Sequence, residues 1–283
     1  MLILPTAAFV ALFTAWPVVL SIYQSFFRQR MTIARFREPT FIGLGNYVDL
    51  FTDPYFIQVI KNTLIYVIGT VPISVMLGFL FSLLVNRKVK GVGIFRLAFF
   101  HPMVMPMVSA ATIWLFLFTP DYGLFNSALR FLGYSGPENW TGNPNLALLS
   151  VMIVAVWKNA GYYMIFYLAG LQNIPENVYE AAALDGANGW QKFQSITRPL
   201  LLPLLAPAIL IRMIYAFNQF YLFYALNPPY PVATFATVSF YFFGEVGQYA
   251  VSAAINIFTI VVLLFMILAF NRWSAASKGV TYA

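Results

Sequence analysis

The sequence predicts an all-α membrane protein with about six transmembrane helices, and three observations lead to that fold class. Hydrophobic residues make up 61% of the 283 residues and charged residues only 9%, whereas soluble domains average about 25% charged residues. Six apolar segments are long enough to cross a bilayer, which takes about 20 helical residues. They lack the alternating pattern of β-barrel strands, so helices that satisfy their own backbone groups are expected.

The six predicted spans lie, in chain order, near 1–26, 57–85, 94–119, 145–171, 200–226 and 248–271. The first has no basic residue before its apolar run and no small-residue cleavage site after it, so we predict a retained helix rather than a signal peptide. The third contains Pro102 and Pro106 and should be kinked or locally unwound. The apolar stretch 231–243 is too short to span, and we expect it at the membrane interface or dipping back into the bundle.

The segments between the spans carry no linker or soluble domain, so residues 1–283 are predicted to form one membrane domain. Residues 28–56 form a predicted external loop with turn signals such as Gly43. Residues 86–93 form a short cytoplasmic turn, and 120–144 should cap the external side.

The distribution of basic residues between the loops predicts the orientation in the membrane. One side carries eight Lys and Arg residues and is predicted to be cytoplasmic: Arg87, Lys88, Lys90, Arg96, Lys192, Arg198, Arg272 and Lys278. The other side carries five: Arg28, Arg30, Arg35, Arg37 and Arg130. The loop after the fourth span and the C-terminus are therefore predicted to be cytoplasmic.

Composition also argues against several functional classes. The chain has no cysteine, which excludes a disulfide framework and a thiolate metal site. The formal charge of +7 fits contact with acidic lipid headgroups, and no charge run predicts nucleic-acid binding. The spans lack the carboxylates and paired repeats of an ion-coupled secondary transporter. The one histidine has no evident serine partner, which disfavours an intramembrane enzyme.

The loop after the fourth span contains a short helix that ends at a glycine bend. Pro175 suits the first position of this helix and Glu176 its first turn. Three alanines, 181–183, continue it with a nearly bare surface. Asp185 and Gly186 end it, because glycine adopts a left-handed bend without strain.

A second short helix is predicted directly after this bend. Asn188 can cap it, and three apolar residues at spacings of three form one stripe: Trp190, Phe193 and Ile196. Pro199 and Pro203 then open the fifth span. This helix–bend–helix has two interpretations, a connector that packs on its own bundle or a docking element for a cytoplasmic partner.

The motif in this loop resembles one known family. Glu180-Ala181-Ala182 followed by Gly186, and then by Ile196 and Pro199, is similar to the EAA loop of the permease subunits of binding-protein-dependent ABC importers. The resemblance also covers "GLGNYVDLFTDPYF", "NTLIYV", "FHPMVMPMVSAATIW" and "GLQNIPENVYEAAALDGA", which look like the carbohydrate-uptake branch, the maltose- and glycerol-phosphate-type permeases.

The resemblance implies a function for the coupling loop, about 175–199, which would dock on an ATP-binding subunit. The coupling residues would be Glu180, Ala181, Ala182, Asp185, Gly186 and Ala187. Glu180 would pair with a basic group of the ATPase; the alternative is that it only keeps its helix soluble. The alternative role for Asp185 is that it only caps the bend.

The resemblance also implies partners and a location. The chain has no G-x-x-x-x-G-K-[ST] loop, so it is not expected to be an enzyme or to hold a cofactor. Two ATP-binding subunits would bind ATP and Mg. A second related permease subunit and an extracytoplasmic solute-binding protein would complete the importer, in the bacterial or archaeal cytoplasmic (inner) membrane.

Polar and aromatic residues inside the spans predict the substrate path. The candidates are Asn159 and Tyr162, which share a helix face with Phe166, together with Arg212, Tyr215 and Gln219 at the same i, i+3, i+7 spacing. Rings stack on sugars while amides exchange hydrogen bonds with hydroxyls. The alternative is that these residues hold helices together.

Two other polar residues are predicted to lie outside this path. Lys158 is expected near one end of its span, with its ammonium snorkelling to the interface. His101 is expected at a helix end in the interface. The predicted cargo is a sugar or oligosaccharide, and the alternative is a phosphorylated polyol such as glycerol phosphate, with Arg212 meeting the anion.

Overall fold

The computed structural model describes residues 3–29, 38–87, 90–136, 139–226 and 232–279, and most of them are helical. Among these residues, five helices are long and apolar enough to cross a membrane, and a bent helix pair gives a sixth span if the pair is counted as one. The predicted all-α membrane fold is therefore confirmed. The chain divides into two compact units: a first unit of 1–64, 217–220 and 233–266, and a second unit of 65–216, 221–232 and 267–283.

The first unit begins with a helix whose side chains are exposed almost throughout. Helix α1 (Ile3–Val10) continues through a π-helical turn at Ala11–Ala15 into α2 (Trp16–Ser25), so the predicted first span is confirmed. No residue of its most apolar 18-residue window is buried. This surface is therefore available to lipid or to another protein.

The predicted external loop contains regular structure. Strand β1 (Phe27–Arg28) pairs antiparallel with β2 (Thr40–Phe41), and helix α3 follows at Gly45–Thr52. The Asn46 side chain donates hydrogen bonds to the carbonyls of Ser25 and Phe27, which ties α3 to the end of the first span. The predicted positions Arg30, Arg35 and Arg37 lie outside the described residues.

Helix α4 (Pro54–Val85) begins three residues before the predicted second span, because Asp53 caps it through a 2.9 Å hydrogen bond from the Tyr55 amide. In the same unit, α13 (Phe235–Phe240) continues as a π-helical turn at Tyr241–Glu245. The Phe235 amide donates to Thr63 Oγ1 at 3.3 Å. The stretch 231–243 thus packs back into the unit, as predicted for its described part. The last span is α14 (Tyr249–Gly279).

The third span is broken rather than merely kinked. Helix α5 (Val92–Val104) and helix α6 (Met107–Leu117) meet at an angle of 102°. Pro106 has no N–H and disfavours a helical conformation for the residue before it. The prediction of a proline-induced distortion is confirmed. Helix α7 (Leu124–Phe131) then lies within the predicted external cap.

Helix α8 (Pro144–Gln172) is the central helix of the second unit, with 56% of its most apolar window buried. Two glycines let neighbouring backbones approach it closely. A Cβ at Gly161 would lie 2.3 Å from the Phe99 carbonyl oxygen of α5, and one at Gly78 of α4 would lie 2.8 Å from the Ala160 carbonyl oxygen. Small residues at helix contacts are typical of membrane bundles.

The predicted bounds of the fifth span are wrong at both ends. Helix α9 (Glu176–Leu184) stands alone, but α10 (Gly189–Lys192) runs through a π-helical turn at Phe193–Thr197 into α11 (Arg198–Phe217). The span therefore covers Gly189–Phe217. Pro199 cannot donate to the carbonyl four residues back, and the widened turn directly before it accommodates this loss without ending the helix. Helix α12 (Tyr221–Leu226) is a separate short helix.

Candidate functional site

The bend of the coupling loop is built by backbone hydrogen bonds that close the end of α9. Gly186 has φ +78°, and its amide donates to the Ala183 carbonyl at 3.1 Å while the Ala187 amide donates to the Ala182 carbonyl at 2.9 Å. This is a Schellman motif, with Asp185 as the C-cap residue. The predicted glycine bend is confirmed, although Pro175 lies one residue before the helix rather than in its first position.

Helix α10 starts with the predicted asparagine cap. The Asn188 side chain accepts a hydrogen bond from the Gln191 amide at 3.0 Å, and the Gln191 side chain accepts from the Asn188 amide at 2.8 Å. This reciprocal pair forms a capping box. It fixes the direction of the chain directly after the Gly186 bend, so the two helices leave the bend in defined directions.

Two contacts attach the bent segment to the rest of the second unit. The hydroxyls of Tyr179 on α9 and Thr197 lie 2.8 Å apart, which joins α9 to the base of the fifth span. The Phe193 ring lies 5.6 Å from Trp190 and 5.4 Å from Phe79 of α4. Movement of the bent segment would therefore be transmitted to α4 and α11.

The outer surface of this segment is open. No residue of α9 is buried, and Leu184 and Trp190 are 90% and 67% exposed. The predicted coupling residues lie on this surface: Glu180, Ala181, Asp185 and Gly186 are exposed, and Ala182 and Ala187 are half-buried. The Glu180 carboxylate has no hydrogen bond or ion pair with the described residues, so it is free to meet a partner.

The predicted path residues of α8 have different environments. Asn159 is buried, and its amide donates to the Ala155 carbonyl of its own helix. Tyr162 is half-buried, and its ring lies 4.9 Å from Phe166. Tyr162 and Phe166 therefore form the aromatic face that the spacing predicts. The carbonyl oxygen and the second N–H of the Asn159 side chain are not used in this hydrogen bond.

The Arg212 side chain lies on α11 within the second unit and is half-buried. The ionisable side chains in the neighbourhood of its guanidinium are those of four tyrosines, Tyr66, Tyr163, Tyr162 and Tyr215. Tyr163 is fully buried, and its hydroxyl has no hydrogen-bond partner among the described residues. Arg212, Tyr162 and Tyr215 thus lie in the same part of the second unit, and their place in a substrate path stays a prediction. The sequence did not predict Tyr163 and Tyr66 in this neighbourhood, because no helical spacing links them to Arg212.

The helical argument for Gln219 is wrong. Helix α11 ends at Phe217, so Gln219 is not on the same helix face as Arg212 and Tyr215, although it is buried. Asn218 lies in the turn that follows the helix. The role of Gln219 in the path stays a prediction without the register that motivated it.

The expectation for Lys158 is wrong. Lys158 lies at the middle of α8, is 6% exposed, and donates hydrogen bonds to backbone carbonyls beside the break between α5 and α6. Its ammonium therefore does not snorkel. His101 lies in the last turn of α5, so its predicted position at a helix end is confirmed, and this helix end is at the same break. Pro106 is the sequence feature that could have predicted the buried position of Lys158, because a span broken by proline leaves carbonyls that need a donor.

Comparisons with known proteins agree with this architecture. Residues 62–276 match the family described as binding-protein-dependent transport system inner membrane component. The chain is 35% identical over 266 residues to the trehalose/maltose transport system permease protein MalF of Thermococcus litoralis, with 93% of this chain and 89% of that protein covered.

Two further similarities extend this comparison. The sn-glycerol-3-phosphate transport system permease protein UgpA of Yersinia pestis is 33% identical over 218 residues, covering 77% of this chain and 72% of that protein. The fold is similar to a crystal structure of a bacterial ABC transporter involved in import of the acidic polysaccharide alginate, with a TM-score of 0.78, 24% identity, and 97% and 94% of the two chains covered.

Proposed function

The chain belongs to the family of inner membrane components of binding-protein-dependent transport systems, and from that premise we propose that it forms half of the translocation path of an ATP-driven ABC importer for a sugar or oligosaccharide. An extracytoplasmic solute-binding protein delivers the cargo, and a second related permease subunit supplies the other half of the path. The chain is a multi-pass membrane protein, and its proposed location is the bacterial or archaeal cytoplasmic membrane.

The group of residues around Arg212 is the observation that supports a sugar as the cargo. Tyr162 and Phe166 present neighbouring rings on α8, and Arg212 and Tyr215 lie on α11 in the same unit. Aromatic faces stack on sugar rings, while hydroxyl and guanidinium groups exchange hydrogen bonds with sugar hydroxyls. Asn159 of α8 completes the proposed set in the second unit, and Gln219 stays a separate prediction. The trehalose/maltose permease relative supports a neutral sugar.

The coupling loop, about 175–199, is the proposed docking site for an ATP-binding subunit. Its open alanine-glycine surface lets the backbone of another protein approach closely, and the free Glu180 carboxylate would meet a basic group there. Two ATP-binding subunits, which bind ATP and Mg, dock on this loop and on its counterpart in the second permease. ATP hydrolysis belongs to those subunits and not to this chain.

Reconstitution tests the proposed function directly. The chain, its companion permease and the ATPase are placed in liposomes, and the cognate binding protein delivers labelled trehalose, maltose or glycerol phosphate. We expect uptake that requires both ATP and the binding protein. Uptake that persists without ATP but needs an ion gradient would instead make the chain a secondary transporter.

A phosphorylated polyol is the second candidate cargo, because Arg212 has no carboxylate partner among the described residues. A membrane-buried cation normally faces water, cargo or an opposite charge. A phosphate would supply that charge and would accept charge-assisted hydrogen bonds from the guanidinium. The relative UgpA supports this alternative.

Substitution of Arg212 separates the two cargoes. A hydrogen bond to a charged group contributes about 1.5–3 kcal/mol, so Arg212→Ala should lower the uptake of a phosphorylated cargo by roughly 10- to 100-fold. Arg212→Lys, which keeps the charge, should lose less. Uptake is measured per inserted chain. If total uptake falls only as far as membrane abundance, so that uptake per inserted chain is unchanged, Arg212 is assigned to folding rather than to cargo binding.

A further inference from the structure

The break in the third span leaves specific backbone carbonyls without helical partners. In an unbroken helix each carbonyl accepts from the amide four residues later. The carbonyl of Pro102 would need the amide of Pro106, which proline lacks. The carbonyls of Met103 and Met105 lose their partners because α5 ends at Val104 and α6 restarts at Met107.

One side chain from another helix satisfies all three of these carbonyls. Lys158 Nζ donates to the carbonyl of Pro102 at 3.0 Å, to that of Met103 at 3.1 Å, and to that of Met105. An ammonium carries three N–H donors, one for each of these three carbonyls. The positive charge also lies at the C-terminal end of α5, where the helix dipole is negative.

The packing of α8 against α5 makes this contact possible. Gly161, which is three residues after Lys158 and therefore on the same side of α8, lets the Phe99 backbone approach so closely that a Cβ would lie 2.3 Å from its carbonyl oxygen. Lys158 itself is 6% exposed. The ammonium is held between two backbones rather than placed at a surface where its partners could be exchanged for water.

We propose that Lys158 is a positioning residue whose ammonium acts as a tethered cation and fixes the angle between α5 and α6. The three carbonyls resemble the unwound backbone that coordinates a coupling ion in secondary transporters, and here the chain supplies the cation itself. The angle of 102° then depends on α8, the helix that also carries Tyr162. The dependence of the angle on Lys158 does not rest on the proposed function. The importance of the angle for transport does.

Distance measurements across the break test this proposal in the assembled complex. The chain has no cysteine, so spin labels can be placed at two exposed positions, Leu97 on α5 and Ile113 on α6. Chains that carry only one of the two labels serve as a control for any signal that arises from the partner subunits. The native lysine should give one narrow distance distribution. Lys158→Met, which keeps an unbranched side chain one atom shorter but removes the charge and the donors, should broaden and shift it.

The matched control is Ser150→Ala. Ser150 is buried in the same helix, but its hydroxyl donates to the Ala147 carbonyl of α8 itself, so the distribution across the break should not change. An unchanged distribution in Lys158→Met would overturn the proposal, whatever the effect on transport. If the Lys158→Met chain does not accumulate, Lys158→Gln carries the test, since it retains two donors on a shorter stem. Lys158→Gln should give a smaller broadening, and a native distribution would again contradict the proposal.

The distance test and the transport test fail separately. A transporter with another cargo, or with another energy source, would still show the dependence of the angle on Lys158. If Lys158→Met changes the distance but leaves uptake per inserted chain intact, the positioning role stands and its importance for transport is refuted.

Discussion

Gly186 is the residue whose conformation shapes the coupling loop. Its φ of +78° closes the Schellman motif at the end of α9, and a Cβ there would meet nothing within 4 Å. Substitution at this position therefore acts through backbone strain and not through a steric clash. Any effect on partner binding would follow from a change in the direction of the chain between α9 and α10.

Gly186→Val should weaken the attachment of the ATPase while leaving the chain inserted in the membrane. A non-glycine residue in the left-handed region costs about 1–2 kcal/mol, and α9 can relieve this strain by unwinding its last turn. Ala182→Asp should have a similar effect by adding a charge to the bare surface. Co-purification of the ATPase and uptake per inserted chain are the measurements.

Gly91→Val is the matched control for this experiment. Gly91 also has a positive φ, +83°, and a Cβ at this position would likewise meet nothing within 4 Å, but Gly91 lies outside the coupling loop. The strain is comparable, so ATPase co-purification should remain normal. An equal loss of co-purification in Gly186→Val and Gly91→Val would contradict the docking role of the 175–199 segment. Full co-purification in Gly186→Val and Ala182→Asp would contradict it as well.

At the scale of whole elements, close backbone contacts organise the second unit around α8. Gly161 meets the α5 backbone and Gly78 meets the α8 backbone, while Tyr163, Tyr167, Leu201 and Leu205 form a buried cluster between α8 and α11. The polar contacts of Lys158 and the aromatic face of Tyr162 are carried on the same helix. The position of α8 therefore controls both the break in the third span and the candidate cargo site.

Gly161→Ala should destabilise the protein by about 1–3 kcal/mol, the usual cost of overpacking. The added methyl would overlap the Phe99 carbonyl, which cannot rotate away as a side chain can. Gly93→Ala is the control, because a Cβ at Gly93 meets nothing within 4 Å and alanine favours the helix. Thermal unfolding of the purified complex measures both variants. A melting temperature for Gly161→Ala equal to or above the native value would refute the close-contact argument.

The sequence predicts elements well where the signal is local and less well where it depends on distant partners. Gly186 and Asn188 are predicted correctly because caps and bends involve neighbouring residues. The fifth span is misplaced because a count of apolar residues cannot see that the helix continues through Gly189–Lys192. Lys158 is misread because its carbonyl partners lie more than 50 residues earlier in the chain.

At the scale of the whole molecule, the remaining question is which side of the membrane each loop occupies. The excess of basic residues predicts that the coupling loop is cytoplasmic and that the 120–144 segment is external. Both segments offer equally open positions for a test, since Leu184 and Phe131 are each 90% exposed. A difference in labelling between them would report the side of the membrane rather than burial.

Leu184→Cys and Phe131→Cys, each introduced into this cysteine-free chain, should react differently with a membrane-impermeant thiol reagent. In intact cells we expect labelling of the cysteine at 131 and none at 184, because the reagent cannot reach the cytoplasm. Opened membranes stripped of peripheral subunits should label both, which excludes loss of reactivity at 184. The reverse pattern in intact cells would invert the topology and place the coupling surface outside, where no ATPase could dock.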